Sequence, residues 1–423
     1  MRKKVVVLAA FACDPNIPSE PTIGWAYLKT WIELASSRGD ISVVALMNER
    51  SKVATDARLL EDGVNKEGVL ETVGIRLPKF LKFLENPYLT RLEYLVWSGS
   101  TKRYLRAQPA DWEIVLARHV TFASELLPTP ISVLKGRALT VWGPVGSSGS
   151  AAAFRIHPRH PRWRLQYGIQ KLRDWVSQVQ SRRIGAGVDL VLSTSDVLAD
   201  NLSKVRVVSQ TFPNTRVDPR IIDVIAESSN SVVRPQASNQ AGRPLRLLCV
   251  GNLVYLKRFE LAIATLTDPR LKDARLEIIG KPAPGKKNYL LGVASELNVA
   301  GRVTFSGQLS QEQVIRSMID ADVLIHPSTR EGGSGVVGEA TAVGIPVVCF
   351  QGTGAAVVLE FAGAHGVQVD ATGDSSTKRL SDAVIVASRL EHTPAVMWRN
   401  DRYSEKENEL LDIALGQQGS AHL

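Results

Sequence analysis

Two α/β domains, each a parallel sheet covered by helices on both faces, are the fold this chain predicts. Three observations carry the expectation. Short apolar runs alternate with stretches of helical periodicity, the chain is 423 residues long, and a polar break interrupts it near the middle. At about 100–200 residues per domain this length suits two domains, each able to bury its own core. The hydrophobic share of 44% and the charged share of 22% are those of an ordinary soluble globular chain.

Val5–Ala10 is a continuous apolar run and reads as a fully buried first strand. Its basic start makes a signal peptide the competing reading, but the run is short and Asp14-Pro15 follows at once. A loop from Asp14 to Gly24 leads into a helical stripe of Trp25, Leu28, Ile32 and Ala35. Ile41–Leu46, Ile114–Ala117, Leu139–Val141 and Leu190–Leu192 read as further strands. The second half repeats the rhythm with strands at Leu245–Val250, Leu276–Ile279, Val303–Phe305, Val323–Ile325 and Pro346–Phe350. Helices at Leu256–Leu266, Lys287–Leu297, Gln311–Met318 and Gly335–Val343 lie between them. The boundaries this implies are 1–215 for an N-terminal domain, 216–244 for a linker and 245–395 for a C-terminal domain. A final segment, 396–423, holds a helix over Tyr403–Leu415 that has the option of crossing back to the first domain.

Charge is distributed unevenly. The net formal charge is +9, and residues 1–215 carry 29 Lys and Arg against 19 Asp and Glu. The excess therefore lies in the first half, which points to an anionic partner such as a membrane surface, a phosphorylated acceptor or nucleic acid. The three cysteines, Cys13, Cys249 and Cys349, are widely spaced and form no CxxC pair. Neither a disulfide framework nor a zinc site is expected, and a reducing cytoplasm is the simplest compartment. No stretch reaches the ~18 apolar residues that span a bilayer.

In doubly wound domains ligands sit beyond the carboxyl ends of the strands, so the loops there are where chemistry is expected. One such loop runs from His326 through Glu331, Gly332, Gly333, Ser334 and Gly335 to Glu339, and continues to Gly344-Ile-Pro346. Its glycines expose backbone N–H groups at a helix start, whose positive dipole end suits a phosphate. Glu331 precedes that helix and Glu339 lies about two turns inside it, on the order of 12 Å away. Two carboxylates at this spacing suit hydroxyls at the two ends of a sugar nucleotide. A second loop, Gly251-Asn252-Leu253 to Lys257-Arg258, follows a strand and brings a lysine to a helix start, where it can neutralise a diphosphate.

These motifs resemble the family-4 retaining glycosyltransferases of the GT-B fold, in which two Rossmann-like domains face each other across a deep cleft. The resemblance implies that Glu331 holds the transferred sugar, Glu339 the ribose and Lys257 the diphosphate. The family pattern has Arg where this chain has Asn252, and Gly where it has Arg258; Arg258 is a candidate to compensate. Three N-terminal loops also resemble the family. Ser19–Trp25 looks like its glycine-rich donor loop, with Gly24 matching and Thr22 replacing a common glycine. Arg118-His119 follows a strand; the resemblance sets His119 opposite the donor sugar and leaves Arg118 either structural or facing the acceptor. Trp142–Gly149 is similar to an acceptor-side loop, with Gly146 and Ser147 as contacts.

The implied activity is transfer of a hexose from a UDP- or GDP-type sugar to an acceptor hydroxyl with retention of configuration. No metal or further cofactor is implied. Asp320-Ala-Asp322 mimics a metal-binding Asp-x-Asp but leads directly into a strand. No GxGxxG follows the first strand, which argues against a dinucleotide oxidoreductase. Rival readings are an epimerase or phosphorylase of the same architecture, and a non-catalytic nucleotide-sugar-binding protein. Residues 155–183 hold eight Lys and Arg against one acid, Asp174, with Leu165, Ile169, Leu172, Val176 and Val179 at helical spacing. Such a stretch either lies on an anionic membrane, at its cytoplasmic face, or packs its apolar side into the first domain. The first alternative fits a lipid-linked acceptor. Nucleic acid is not expected, because no stacking motif accompanies the charge.

Overall fold

The computed structural model describes residues 3–17, 19–64, 67–86, 88–108, 112–146, 163–217, 243–329, 331–371, 376–398 and 402–416. The chain divides into two units. One comprises 1–146, 176–214 and 401–423, and the other 147–175 and 215–400.

The first unit is built on a seven-stranded parallel sheet in the order β3-β2-β1-β4-β5-β6-β7. Its strands are β1 Lys3–Ala10, β2 Ile41–Asn48, β3 Leu70–Ile75, β4 Trp112–Thr121, β5 Leu139–Val145, β6 Leu190–Ser193 and β7 Ser209–Thr211. β1 is buried from Val5 onward and β2 is buried throughout, because helices cover both sheet faces and leave no polar side for alternation. The covering helices are α1 Glu20–Arg38, α2 Glu49–Glu61, α3 Thr90–Arg106 and α5 Asp196–Ser203. Helix α4, Trp163–Gly185, is shared between the units at Trp175/Val176.

The second unit has a six-stranded parallel sheet in the order β10-β9-β8-β11-β12-β13. Its strands are β8 Arg246–Val250, β9 Arg275–Ile279, β10 Val303–Gly307, β11 Val323–His326, β12 Val347–Phe350 and β13 Gly366–Val369. The helices are α6 Phe259–Thr265, α7 Lys286–Glu296, α8 Gln311–Asp320, α9 Gly335–Val343, α10 Gly354–Ala362 and α11 Ser376–Ala387. Two apolar clusters, one around Leu276, Ile278 and Val384 and one around Leu324, Val337 and Val358, lie on opposite faces of this sheet. Helix α12, Arg402–Ala414, packs on α1 of the first unit.

The fold is the two-domain parallel α/β architecture expected, with several local corrections. The helix expected over Leu256–Leu266 is a 3-10 turn, Tyr255–Lys257, followed by the shorter α6, with Arg258 between them in the left-handed region at φ 51°. Asp322 caps a strand, as its place directly before one suggests: it accepts from the Arg246 backbone N–H at 2.8 Å and from Arg243. Strands β3, β7 and β13 and helices α2, α3, α5, α10 and α11 add to the elements expected from the sequence.

Candidate active site

In each sheet the strand order reverses at an interior pair, β1/β4 in the first and β8/β11 in the second. The crevice beyond the carboxyl ends of such a pair is where open α/β sheets bind ligands. Lys257 lies in the loop after β8 and Glu331 in the loop after β11, so the second unit places both at its reversal point.

Leu256 holds the two loops together. Its carbonyl accepts from the Thr329 backbone N–H at 3.0 Å and from the Ser328 and Thr329 hydroxyls at 3.3 Å. The next residue, Lys257, is thereby delivered to Glu331, and its Nζ donates to Glu331 Oε1. The lysine side chain lies across Gly251, where an added Cβ would stand 3.1 Å from Lys257 Cε. Glu331 Oε1 also meets His326 Nε2 at 3.1 Å, and the Ser334 hydroxyl is 3.2 Å from the same nitrogen.

Electrostatics assigns the charges. Burial alone would push the Glu331 carboxyl up, but His326 and Lys257 outweigh it and hold the carboxyl down to about 2. His326 is fully buried, and burial and the Lys257 charge lower its pKa while Glu331 opposes them. At neutral pH the site is an ionised Glu331 and a neutral His326. A carboxylate offers no proton, so Nε2 carries the hydrogen and donates it. His326 opens the motif, but nothing in the spacing shows that it shares an oxygen with Lys257.

Gly332 and Gly333 are half-buried between Glu331 and the helix, Ser334 is buried, and Gly335 opens α9. Glu339, half-buried on α9, accepts from Gln311 Nε2 at 3.1 Å. Asn252 is exposed in the loop after β8. Gly354, at the start of α10, donates its N–H to the Glu331 carbonyl at 3.3 Å, and a Cβ there would stand 2.7 Å from that oxygen. Gly354 lies eight residues past Pro346, outside the motif, and nothing in the spacing marks it.

Arg258 is turned away from solvent. Its side chain is 1% exposed, and it is ion-paired to Glu260. The left-handed backbone at 258 explains why a glycine suits this position.

In the first unit, Arg118 and His119 lie inside β4, which begins two residues before and ends four residues after the expected strand, rather than in a loop after it. Arg118 is completely buried. Its Nε and Nη2 each donate to Glu407 of α12 at 2.8 Å, and Nη1 donates to the carbonyls of Val141 and Gly143. Trp31 Nε1 donates to the same carboxylate at 3.0 Å. Arg118 is thus a structural clamp and not an acceptor contact. His119 is also fully buried; burial holds it down to about 3, so it is neutral. The Tyr94 hydroxyl donates to the Pro128 carbonyl at 2.6 Å and is 3.2 Å from His119 Nε2, so that nitrogen is the donor.

Gly24 lies in the first turns of α1 rather than in an open loop. A Cβ there would stand 2.2 Å from the Ala12 carbonyl oxygen, so glycine is required for α1 to pack against the segment that follows β1. Thr22 is exposed in the same helix. Trp142–Val145 belongs to buried β5 and not to a loop. Gly146 donates its N–H to the Ala123 carbonyl at 3.0 Å; Ser147 lies outside the described residues.

Residues 234–397 match the family model for "Glycosyl transferases group 1". The match contains β8–β13 and the Lys257–Glu331 pair, and it supports sugar transfer as the class of reaction. Three solved structures are similar to nearly the whole chain. The lipopolysaccharide outer core galactosyltransferase WaaB, in its apo form, is 13% identical over 96% of this chain and 99% of its own, with a TM-score of 0.60. Sucrose-phosphate synthase from Thermosynechococcus elongatus is 16% identical over 98% of both chains, with a TM-score of 0.54. The N-terminal domain of Candida albicans trehalose-6-phosphate phosphatase is 13% identical over 98% and 93%, also at 0.54. At such identities the likeness establishes the fold: the chain has the two-domain GT-B architecture. The curated proteins contain no significant match.

Proposed function

We propose that the chain transfers a hexose from a nucleoside-diphosphate sugar, of UDP or GDP type, to an acceptor hydroxyl with retention of the anomeric configuration. The observation that carries this reading is the Lys257–Glu331–His326 cluster at the reversal point of a sheet that matches the group 1 model. A cation and a held carboxylate, side by side, suit the two ends of one ligand. Lys257 and the α9 amides from Gly333 to Gly335 neutralise the diphosphate, while Glu331 accepts from hydroxyls of the sugar and Glu339 from the ribose. Asn252 adds a neutral donor beside the phosphates. In the reaction the bond from the anomeric carbon to the diphosphate oxygen breaks. A bond to the acceptor oxygen forms on the same face, and the acceptor proton passes to the departing phosphate. The chain supplies positioning and charge.

A lipid-linked or polysaccharide acceptor, at the inner face of a membrane, fits the basic first half. Its support is α4, where Leu165, Ile169, Leu172 and Val179 are exposed together with Trp175, and Lys171 and Arg183 are exposed beside them. The rest of the basic stretch, through Arg162, lies outside the described residues. No described helix is long and apolar enough to cross a membrane.

The deciding experiment incubates the full chain with a panel of UDP- and GDP-sugars and a mixed acceptor pool, and follows nucleoside diphosphate release and product anomer by NMR. Acceptor-dependent release with a retained anomer is expected. Release without acceptor incorporation, an inverted product, or no turnover of any donor counts against the assignment.

A further inference from the structure

After β3 the chain makes a 3-10 turn, Lys79–Leu84, before entering α3. Leu84 is buried and roots the turn. Phe80 and Phe83 are not buried: they are 78% and 65% exposed. Spaced by three, they share one side of a 3-10 turn, where such side chains eclipse. Tyr88, just beyond in sequence, is 95% exposed, and Leu92 and Leu95 are exposed on α3. Three aromatic rings left in water within nine residues mark an interaction surface and not the ordinary scatter of surface apolar groups.

The charges around the rings are of one sign. Lys79, Lys82 and Arg91 are exposed. The acids of the same stretch are withdrawn: Glu93 is buried against Arg50 Nη2 at 2.6–2.8 Å, and Glu85 is half-buried. A second copy of the chain seated on this surface would set cations against cations, which disfavours self-association. Aromatic rings interleaved with cations suit the interfacial zone of a bilayer with negative headgroups, where rings sit at the acyl boundary and each Lys or Arg is drawn to the surface potential.

We infer that Phe80, Phe83 and Tyr88 insert into the interface of an anionic membrane while Lys79, Lys82 and Arg91 engage its phosphates. This surface is distinct in sequence from α4 and stands without the sugar-transfer reading, because its test contains no donor or acceptor.

The test is co-flotation of the full chain with vesicles of phosphatidylglycerol in phosphatidylcholine, and with phosphatidylcholine alone. The wild type binds the anionic vesicles and not the neutral ones. The F80S/F83S/Y88S variant, and separately K79Q/K82Q/R91Q, lose binding by about tenfold or more, while keeping the wild-type thermal transition, since all six side chains are exposed. A F83C variant carrying an environment-sensitive fluorophore gives a blue shift with anionic vesicles only; Cys13, Cys249 and Cys349 are buried and stay unlabelled. Undiminished binding by the aromatic variant overturns the inference. So do binding lost only in an L165S/I169S/W175S comparator on α4, an unshifted probe, or an oligomer that the aromatic variant dissolves.

Discussion

Glu331 Oε1 is shared by Lys257 Nζ and His326 Nε2, so that one carboxylate oxygen takes a charged and a neutral donor at once. Lys257 and Glu331 form an ion pair.

Replacing Glu331 with Gln frees Lys257 and removes a negative charge beside the diphosphate position. Nucleoside diphosphate alone is expected to bind the E331Q variant about three- to tenfold more tightly by calorimetry, while turnover of the intact donor falls by about 10²–10³. The K257M variant is expected to bind the diphosphate more weakly. Equal effects of both substitutions on diphosphate binding would remove the assignment of separate roles.

The depressed Glu331 pKa has a signed consequence for stability. The folded-state value, about 2, lies below the ordinary value of 4.5, so the contribution is present above pH 4.5 and is lost as pH falls toward 2. Its size is on the order of 3 kcal/mol at most. Denaturant melts at pH 7 and pH 3 are expected to show a steeper loss in wild type than in E331Q. Parallel losses contradict the buried pairing.

Arg118 and Glu407 stand or fall together. Removing one partner leaves a buried charge uncompensated, at a cost of about 3–5 kcal/mol. R118A and E407A are expected to unfold at much lower denaturant concentration. The R118M/E407L double variant is expected to recover part of that loss. A R118A enzyme of normal stability with a raised acceptor KM would restore Arg118 to the acceptor side.

Gly354→Ala introduces a Cβ 2.7 Å from the Glu331 carbonyl oxygen. The backbone at Glu331 must shift, so donor turnover is expected to fall by about tenfold or more with a smaller change in melting temperature, because positioning errors near 1 Å cost about 10²-fold. Wild-type kinetics in this variant would mean that the position of Glu331 is not critical.

Local sequence carried the parts of this protein that depend on local physics. The apolar runs of β1, β2, β8 and β11 mark buried parallel strands, since a strand covered on both faces needs no polar alternation. The glycines before α9 mark an open helix start, and Lys257 and Glu331 are visible as a cation and a carboxylate in loops after strands. Tertiary structure decided which of the polar side chains are available. Arg118 resembles an acceptor contact until Glu407, 289 positions away, is found to hold it from α12. Arg258 resembles a phosphate ligand until it is found buried and ion-paired to Glu260. Lys257 meets the carboxylate that His326 also holds because the Leu256 carbonyl fastens two loops together. Periodicity reports which face of an element is apolar; it says nothing of the pairing between distant polar groups. That pairing, made where water is excluded, is what separates a buried clamp from a binding residue.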